Sequence, residues 1–148
     1  MDFDYRLAAW APRVLSIARI AIALTLLQHP AAKFFGIPYV PFFDNLPISS
    51  IYMVAGAIEL IAGIAFLVGF YTRAAAFVLS GHLAFVYFIG HAPKGFYPLL
   101  NGGESAVVFC FVFLYFAFAG GGPWSLDGVR SPEGVDTMPQ GTDRAHAA

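Results

Sequence analysis

The chain is short of the residues on which soluble proteins build their surfaces and many of their sites. Only 11% of its 148 residues are charged, against roughly 25% in an ordinary soluble domain. It has a single cysteine, Cys110. That excludes an intrachain disulfide, a paired-thiol redox centre and a cysteine-built zinc site. Flanked by aromatic and aliphatic neighbours, Cys110 reads as a small packing residue. The formal net charge is -1, and the few basic residues are scattered rather than clustered. Both a nucleic-acid partner and a polybasic lipid-binding run are therefore excluded. Nucleotide fingerprints are missing too: Gly120-Gly121-Gly122 runs into a proline instead of opening a helix. No two histidines stand at the i, i+4 spacing of a helical metal site. His29 and His91 each lie beside a proline at a loop edge, so neither a haem nor a metal is expected.

What the chain has is apolar bulk, with 59% hydrophobic residues and a mean hydropathy of +0.71. One soluble core of this size could not hide so much, so the lipid bilayer is the expected partner. A spanning helix needs about 20 mostly apolar residues. Four segments approach this, at about Pro12–Gln28, Ile48–Phe70, Arg73–Gly90 and Gly103–Ala119. The expected fold is all-α, an antiparallel bundle of four transmembrane helices over residues 12–120. Pro12 suits a first helical turn. The four-residue link Gly69-Phe70-Tyr71-Thr72 forces a tight antiparallel hairpin. Residues 1–11, with Tyr5 and Trp10, read as an interfacial segment. With Asp2 and Asp4 at its start, this end does not resemble a cleaved signal. Residues 121–148, rich in Gly, Pro, Ser and Asp, read as a disordered cytoplasmic tail. Arg6, Arg13, Arg73, Arg130 and Arg144 fall on one side of a four-span topology, Lys33 and Lys94 on the other. The positive-inside rule then places both termini in the cytoplasm, in a bacterial-type inner membrane.

Charged groups at bilayer depth are costly and usually mark a site. Arg19, Glu59 and His82 sit mid-way along the first three spans, and Glu104 opens the fourth. Ser16, Arg19 and Ala23 share one helical stripe; so do Gly56, Glu59 and Gly63. Small residues let membrane helices approach closely, so Arg19 and Glu59 are expected to pair near the midplane. His82 follows Ser80-Gly81, where another backbone has room to approach, and would complete an acid–base constellation. Arg19, Glu59 and His82 are the candidate catalytic residues, for proton relay or ligand polarisation. A second reading makes the Arg19–Glu59 pair packing glue. His29, Lys33, His91, Asn101 and Glu104 gather at the outward level and are candidate ligand-binding residues. Glu104 either complements its helix dipole or pairs with Lys33. The aromatic, proline-rich segment 29–47 reads as an interfacial belt or as a lid over an outward cavity.

In order and spacing these features resemble the DoxX family of small four-helix membrane proteins. Carrying the resemblance are Arg19, the stretch His29 to Lys33, Gly56-x-x-Glu59-x-x-x-Gly63, Gly69-Phe70-Tyr71-Thr72-Arg73, His82 and Glu104. The closing Gly120-Gly121-Gly122-Pro123-Trp124-Ser125-Leu126-Asp127 resembles the family's ending. The resemblance implies a link to quinone-dependent sulfur oxidation or to membrane oxidoreductase complexes, with a quinone as cofactor and a second redox subunit as partner. The leading expectation is a redox accessory with a buried Arg/Glu/His site. The alternatives are a proton-coupled small-molecule transporter and a non-catalytic scaffold subunit. Polar groups cluster at the midplane and outward, which favours a one-sided ligand pocket over a through-path. Whether the chain is itself an enzyme, and whether it forms a homo-oligomer, the sequence leaves open.

Overall fold

A computed structural model describes residues 2–45 and 47–130, with side chains from residue 5 onward. Helix α1 spans Asp2–Phe35 without a break. The expected interfacial segment and first span are thus one helix of 34 residues, about 51 Å long. Pro12 and Pro30 both lie inside it. An internal proline removes a donor and crowds the preceding turn, but helix neighbours in membranes tolerate it. The compensation here is burial. Ser16, Arg19, Ala23, Leu26 and Pro30 form one stripe at steps of three and four, all fully buried.

Helix α2 covers Ile51–Val68, and Gly69 ends it at φ 73, a conformation that costs glycine nothing. Helix α3 starts three residues later and covers Thr72–Val86. The expected tight hairpin is present. A π-helical turn over Tyr87–His91 and a 3-10 turn over Ala92–Lys94 extend α3. A short helix α4 (Pro98–Asn101), helix α5 (Glu104–Ala119) and a short helix α6 (Leu126–Arg130) follow. By length and composition, three helices can cross a membrane: Tyr5–Phe35, Ile51–Val68 and Thr72–Lys94. The fourth, α5, has 16 residues, about 24 Å against a hydrocarbon core of about 30 Å.

Packing runs α1 on α2, α2 on α3 and α3 on α5. Leu26, Phe66, Leu79, Leu83, Phe113 and Phe116 form the core. Phe66 meets Phe113 and Phe116 edge-on, with ring centres 4.9 and 5.1 Å apart. The small-residue stripe on α2 sets the α1–α2 register. A Cβ on Gly56 would lie 2.9 Å from the Lys33 Cδ, and one on Gly63 the same distance from a Leu27 methyl. Gly69 in turn lies against the Arg19 guanidinium.

The expected tail needs correction over residues 121–130, which pack on the end of the bundle that holds the Gly69–Thr72 hairpin, termed its inner end; residues 131–148 lie outside those described. Asp127 explains the docking. Its carboxylate accepts the Tyr71 N–H at 2.9 Å, the Thr72 N–H at 2.7 Å and the Thr72 hydroxyl at 2.7 Å. It caps the free N–H groups at the start of α3 from a distance in sequence. Partial burial pushes this carboxyl up, but the hydrogen bonds from Thr72 and Tyr71 outweigh it and hold the group below the usual aspartate range. Removing such a cap costs about 1 kcal/mol, so Asp127→Ala should lower the thermal midpoint in detergent at neutral pH. The folded pKa is depressed, so this stability is present above the unfolded value of about 3.9 and is lost as pH falls below it. Wild type and variant should therefore converge only in acid well below pH 4; a gap that survives there would count against the cap.

Candidate functional site

Lys33, Glu59 and His82 meet at one buried point. Lys33 Nζ lies 2.6 Å from one Glu59 oxygen, and His82 Nε2 lies 3.3 Å from the other. All three side chains are at most 8% exposed. Each comes from a different helix. α1 carries Lys33 inward because it stays helical past Pro30. α2 presents Glu59 beside Gly56, and the missing side chain there leaves room for the Lys33 stem. α3 supplies His82 from its buried face. Gly81 faces open space, so it plays no part in the approach expected of it.

Beyond this point, toward the end of the bundle opposite the hairpin, termed its outward end, lies a cavity of about 380 Å³. Lys33 and Glu59 are its polar floor, and Leu26, Leu83, Ala106 and Phe109 are among its apolar walls. Phe42 and Phe43 also line it. Phe43 sits under the Lys33 ammonium, 6.0 Å from ring centre to Nζ, and Phe42 packs edge-on to Tyr52 at 5.3 Å. Within segment 29–47, the residues that line the cavity are His29, Lys33, Phe42 and Phe43. Such a volume, with apolar walls and a few convergent polar groups, is what small-molecule sites look like.

The expected Arg19–Glu59 pair does not form. With Gly69 opposite Arg19 and Gly56 opposite Lys33, Arg19 sits roughly 15 Å inward of Glu59 along α2. Its guanidinium instead donates to the Gly121 carbonyl at 2.8 Å and to the Trp124 carbonyl at 2.6 Å. Ser16 joins it by donating to the Gly121 carbonyl at 3.3 Å and accepting the Trp124 N–H at 3.1 Å. Arg19 thus clamps the C-terminal segment and stands apart from the cavity. On the same inner end, Arg73 donates to the Ala117 and Phe118 carbonyls that α5 leaves open.

The outward candidates divide. His29 and His91 line the cavity. Asn101 is buried beside it as a brace, donating to the Gly95 carbonyl at 2.8 Å and accepting the Gly103 N–H at 2.8 Å. Its own carbonyl meets His91 Nδ1 at 3.1 Å, which fixes that ring. Glu104 is exposed at the first turn of α5 and makes no ion pair among the described residues, so the expected Lys33–Glu104 pair is absent. Among the described residues, no three of His, Cys, Asp and Glu gather as a metal site. Lys33, already a ligand-binding candidate, as the partner of Glu59, Ser16 at the clamp and Asp127 as a remote cap are roles that the sequence reading missed.

Comparison with known proteins supports the same core. A family model described as DoxX matches residues 14–92, the stretch holding Arg19, Lys33, Glu59, His82 and His91. An uncharacterized protein of Haemophilus influenzae is 39% identical over 125 residues, covering 82% of this chain and 93% of its own. No solved structure matches.

Proposed function

The chain belongs to the DoxX family and is an integral membrane protein; from that premise we propose that it is the ligand-binding accessory of a quinone-linked redox system. A single observation carries this reading: an ammonium and a carboxylate paired at the floor of an apolar cavity, with an imidazole buried behind the carboxylate. The donor set suits a quinone head. Lys33 and the cavity-lining imidazoles of His29 and His91 offer hydrogen bonds to carbonyl oxygens, and the apolar walls suit the ring. When bound, such a group supplies two-electron, two-proton chemistry. The protein's part is to hold and move protons. Glu59 answers Lys33 through one oxygen and His82 through the other. Glu59 therefore links the two nitrogens, so a proton lost at one can be replaced from the other by way of the carboxylate, the arrangement general acid–base work needs.

Arg19, occupied by backbone carbonyls at the inner end, has no part in this site. A transporter reading needs a polar route to both faces. The docked segment 120–130 lies across the inner end and supports a one-sided pocket instead. Electrons would come from a partner redox subunit, and a second copy of the chain is a further candidate partner. The arginines at the inner end support a topology with both termini on the cytoplasmic side, the membrane being a bacterial-type inner membrane.

The test is native mass spectrometry with an absorbance spectrum on gently solubilised protein. A quinone should copurify with the wild type and be lost in His82→Ala and Glu59→Gln. Ligand-free wild type that still needs a partner chain for its isolation would replace this reading with the scaffold.

A further inference from the structure

The cavity has a side. Besides Phe42 (59%) on the outward segment, four of its large lining residues are about half exposed: Ile51 (52%) and Tyr52 (43%) on α2, Phe85 (52%) on α3 and Ile89 (57%) on the π-helical turn that extends it. A side chain that both walls a cavity and stands half in the surroundings marks an edge of the opening. These four come in two pairs, one from each helix. Phe85 and Ile89 are one turn apart on the same face of α3 and its extension. The hairpin at Gly69–Thr72 ties α2 to α3 at the inner end, and the His82–Glu59 contact ties them again at the cavity floor; the opening lies beyond that floor. The outward rim is open too, at His29, Phe42 and Ser105, but the α2–α3 edge is the one built from two helices apolar enough to cross a membrane. Phe42 and Phe43 lie over the floor on the outward side, with Phe42 packed against Tyr52.

The charges at the floor define what fits there. The titratable groups facing the cavity are Lys33, Glu59, His29, His91 and Tyr52, with His82 behind Glu59. Lys33 and Glu59 already neutralise each other at 2.6 Å. An anionic head would therefore meet no unmatched fixed cation, and burying it unpaired is costly. A neutral head that exchanges hydrogen bonds faces no such cost. Volume limits the rest. About 380 Å³ is near the lower end for ligand sites, so a long tail must leave through the opening.

We infer that the ligand is a neutral-headed amphiphile with a single tail, entering sideways from the bilayer between Ile51–Tyr52 and Phe85–Ile89, with its head on the Lys33–Glu59 floor and its tail left in lipid. This rests on reading the cavity as a ligand site, yet it can fail separately from the quinone assignment.

Four probes separate the two, measured by equilibrium binding to the purified full chain with correction for partitioning into detergent: a decyl-substituted benzoquinone, the same ring without a tail, dodecanol and dodecanoate. The tailed quinone should bind at least about tenfold tighter than the bare ring, the gain expected from burying about two methylenes. Ile89→Trp, or Phe85→Trp should the first variant misfold, narrows the opening and should erase that gain without weakening the bare ring. Dodecanol should bind about tenfold or more tighter than dodecanoate. If the bare ring binds as well as the tailed one, lateral entry is overturned and the quinone assignment stands. If dodecanol binds and neither quinone does, the quinone assignment falls and the sideways amphiphile stands. Tighter binding of dodecanoate overturns the neutral head, and no binding by any probe overturns both.

Discussion

Replacing Arg19 by methionine is expected to remove most of the folded protein. The side chain is 1% exposed and makes two charge-assisted hydrogen bonds to backbone carbonyls of the C-terminal segment. Each such bond contributes about 1.5–3 kcal/mol, so the loss is on the order of 3–5 kcal/mol, a large part of a typical folding free energy. Methionine fills much of the volume but leaves the Gly121 and Trp124 carbonyls without donors. Lysine should recover only part of the loss, because a single ammonium cannot span two carbonyls as a planar fork does. The informative control is Glu59→Gln in the same background. Were Arg19 and Glu59 a pair, the double variant would be less damaged than the two single losses together. Sited roughly 15 Å apart, they should add to within about 0.5 kcal/mol. Thermal or denaturant unfolding of the four proteins in one detergent decides it, and a coupling well beyond that margin would return Arg19 to the cavity.

That misplaced partner shows where the sequence was legible and where it was not. The hairpin at Gly69–Thr72, the four apolar helices and the burial of Arg19, Glu59 and His82, though not their relative depth, follow from composition and spacing, because the cost of burying polar groups in lipid leaves few arrangements open. Which buried charges meet depends on helix register, and composition does not set register. The end of α1 was misplaced because His29-Pro30 looks like a helix stop. Yet the stripe Ser16, Arg19, Ala23, Leu26, Pro30, Lys33 keeps its three-and-four spacing straight through that proline. Followed to its end, it carries Lys33 to the level of Gly56 and Glu59. The segment 121–130 was misread for a different reason. Its glycines and proline do look like a tail, but Gly121 and Gly122 serve close approach. A Cβ on Gly121 would lie 2.7 Å from the Thr72 hydroxyl and 2.9 Å from the Arg19 guanidinium. An unmatched arginine at midspan and an aspartate just past the glycines were the available signals that something returns to the bundle.

Glu59→Gln should be the most damaging change at the cavity floor, and its rescue separates packing from function. Glutamine leaves the Lys33 ammonium, its side chain 8% exposed, without a counter-charge. Breaking one side of a buried pair costs about 3–5 kcal/mol, because the other charge is stranded. Lys33→Met strands Glu59 in turn, but less severely, since His82 still stands 3.3 Å from its second oxygen. The double variant Lys33→Met/Glu59→Gln strands neither charge. It should regain most of the stability lost in Glu59→Gln, with a coupling energy between about 0.5 and 3 kcal/mol. Hydrogen bonding of glutamine to His82 can persist there, so the helices keep their register. If the pair were only packing glue, this stable double variant would bind ligand like the wild type. A site that needs an ammonium donor and a carboxylate proton acceptor predicts the opposite: restored folding with copurified ligand still absent. The two outcomes are read from the same two measurements, an unfolding midpoint and a native mass spectrum, on one set of four proteins.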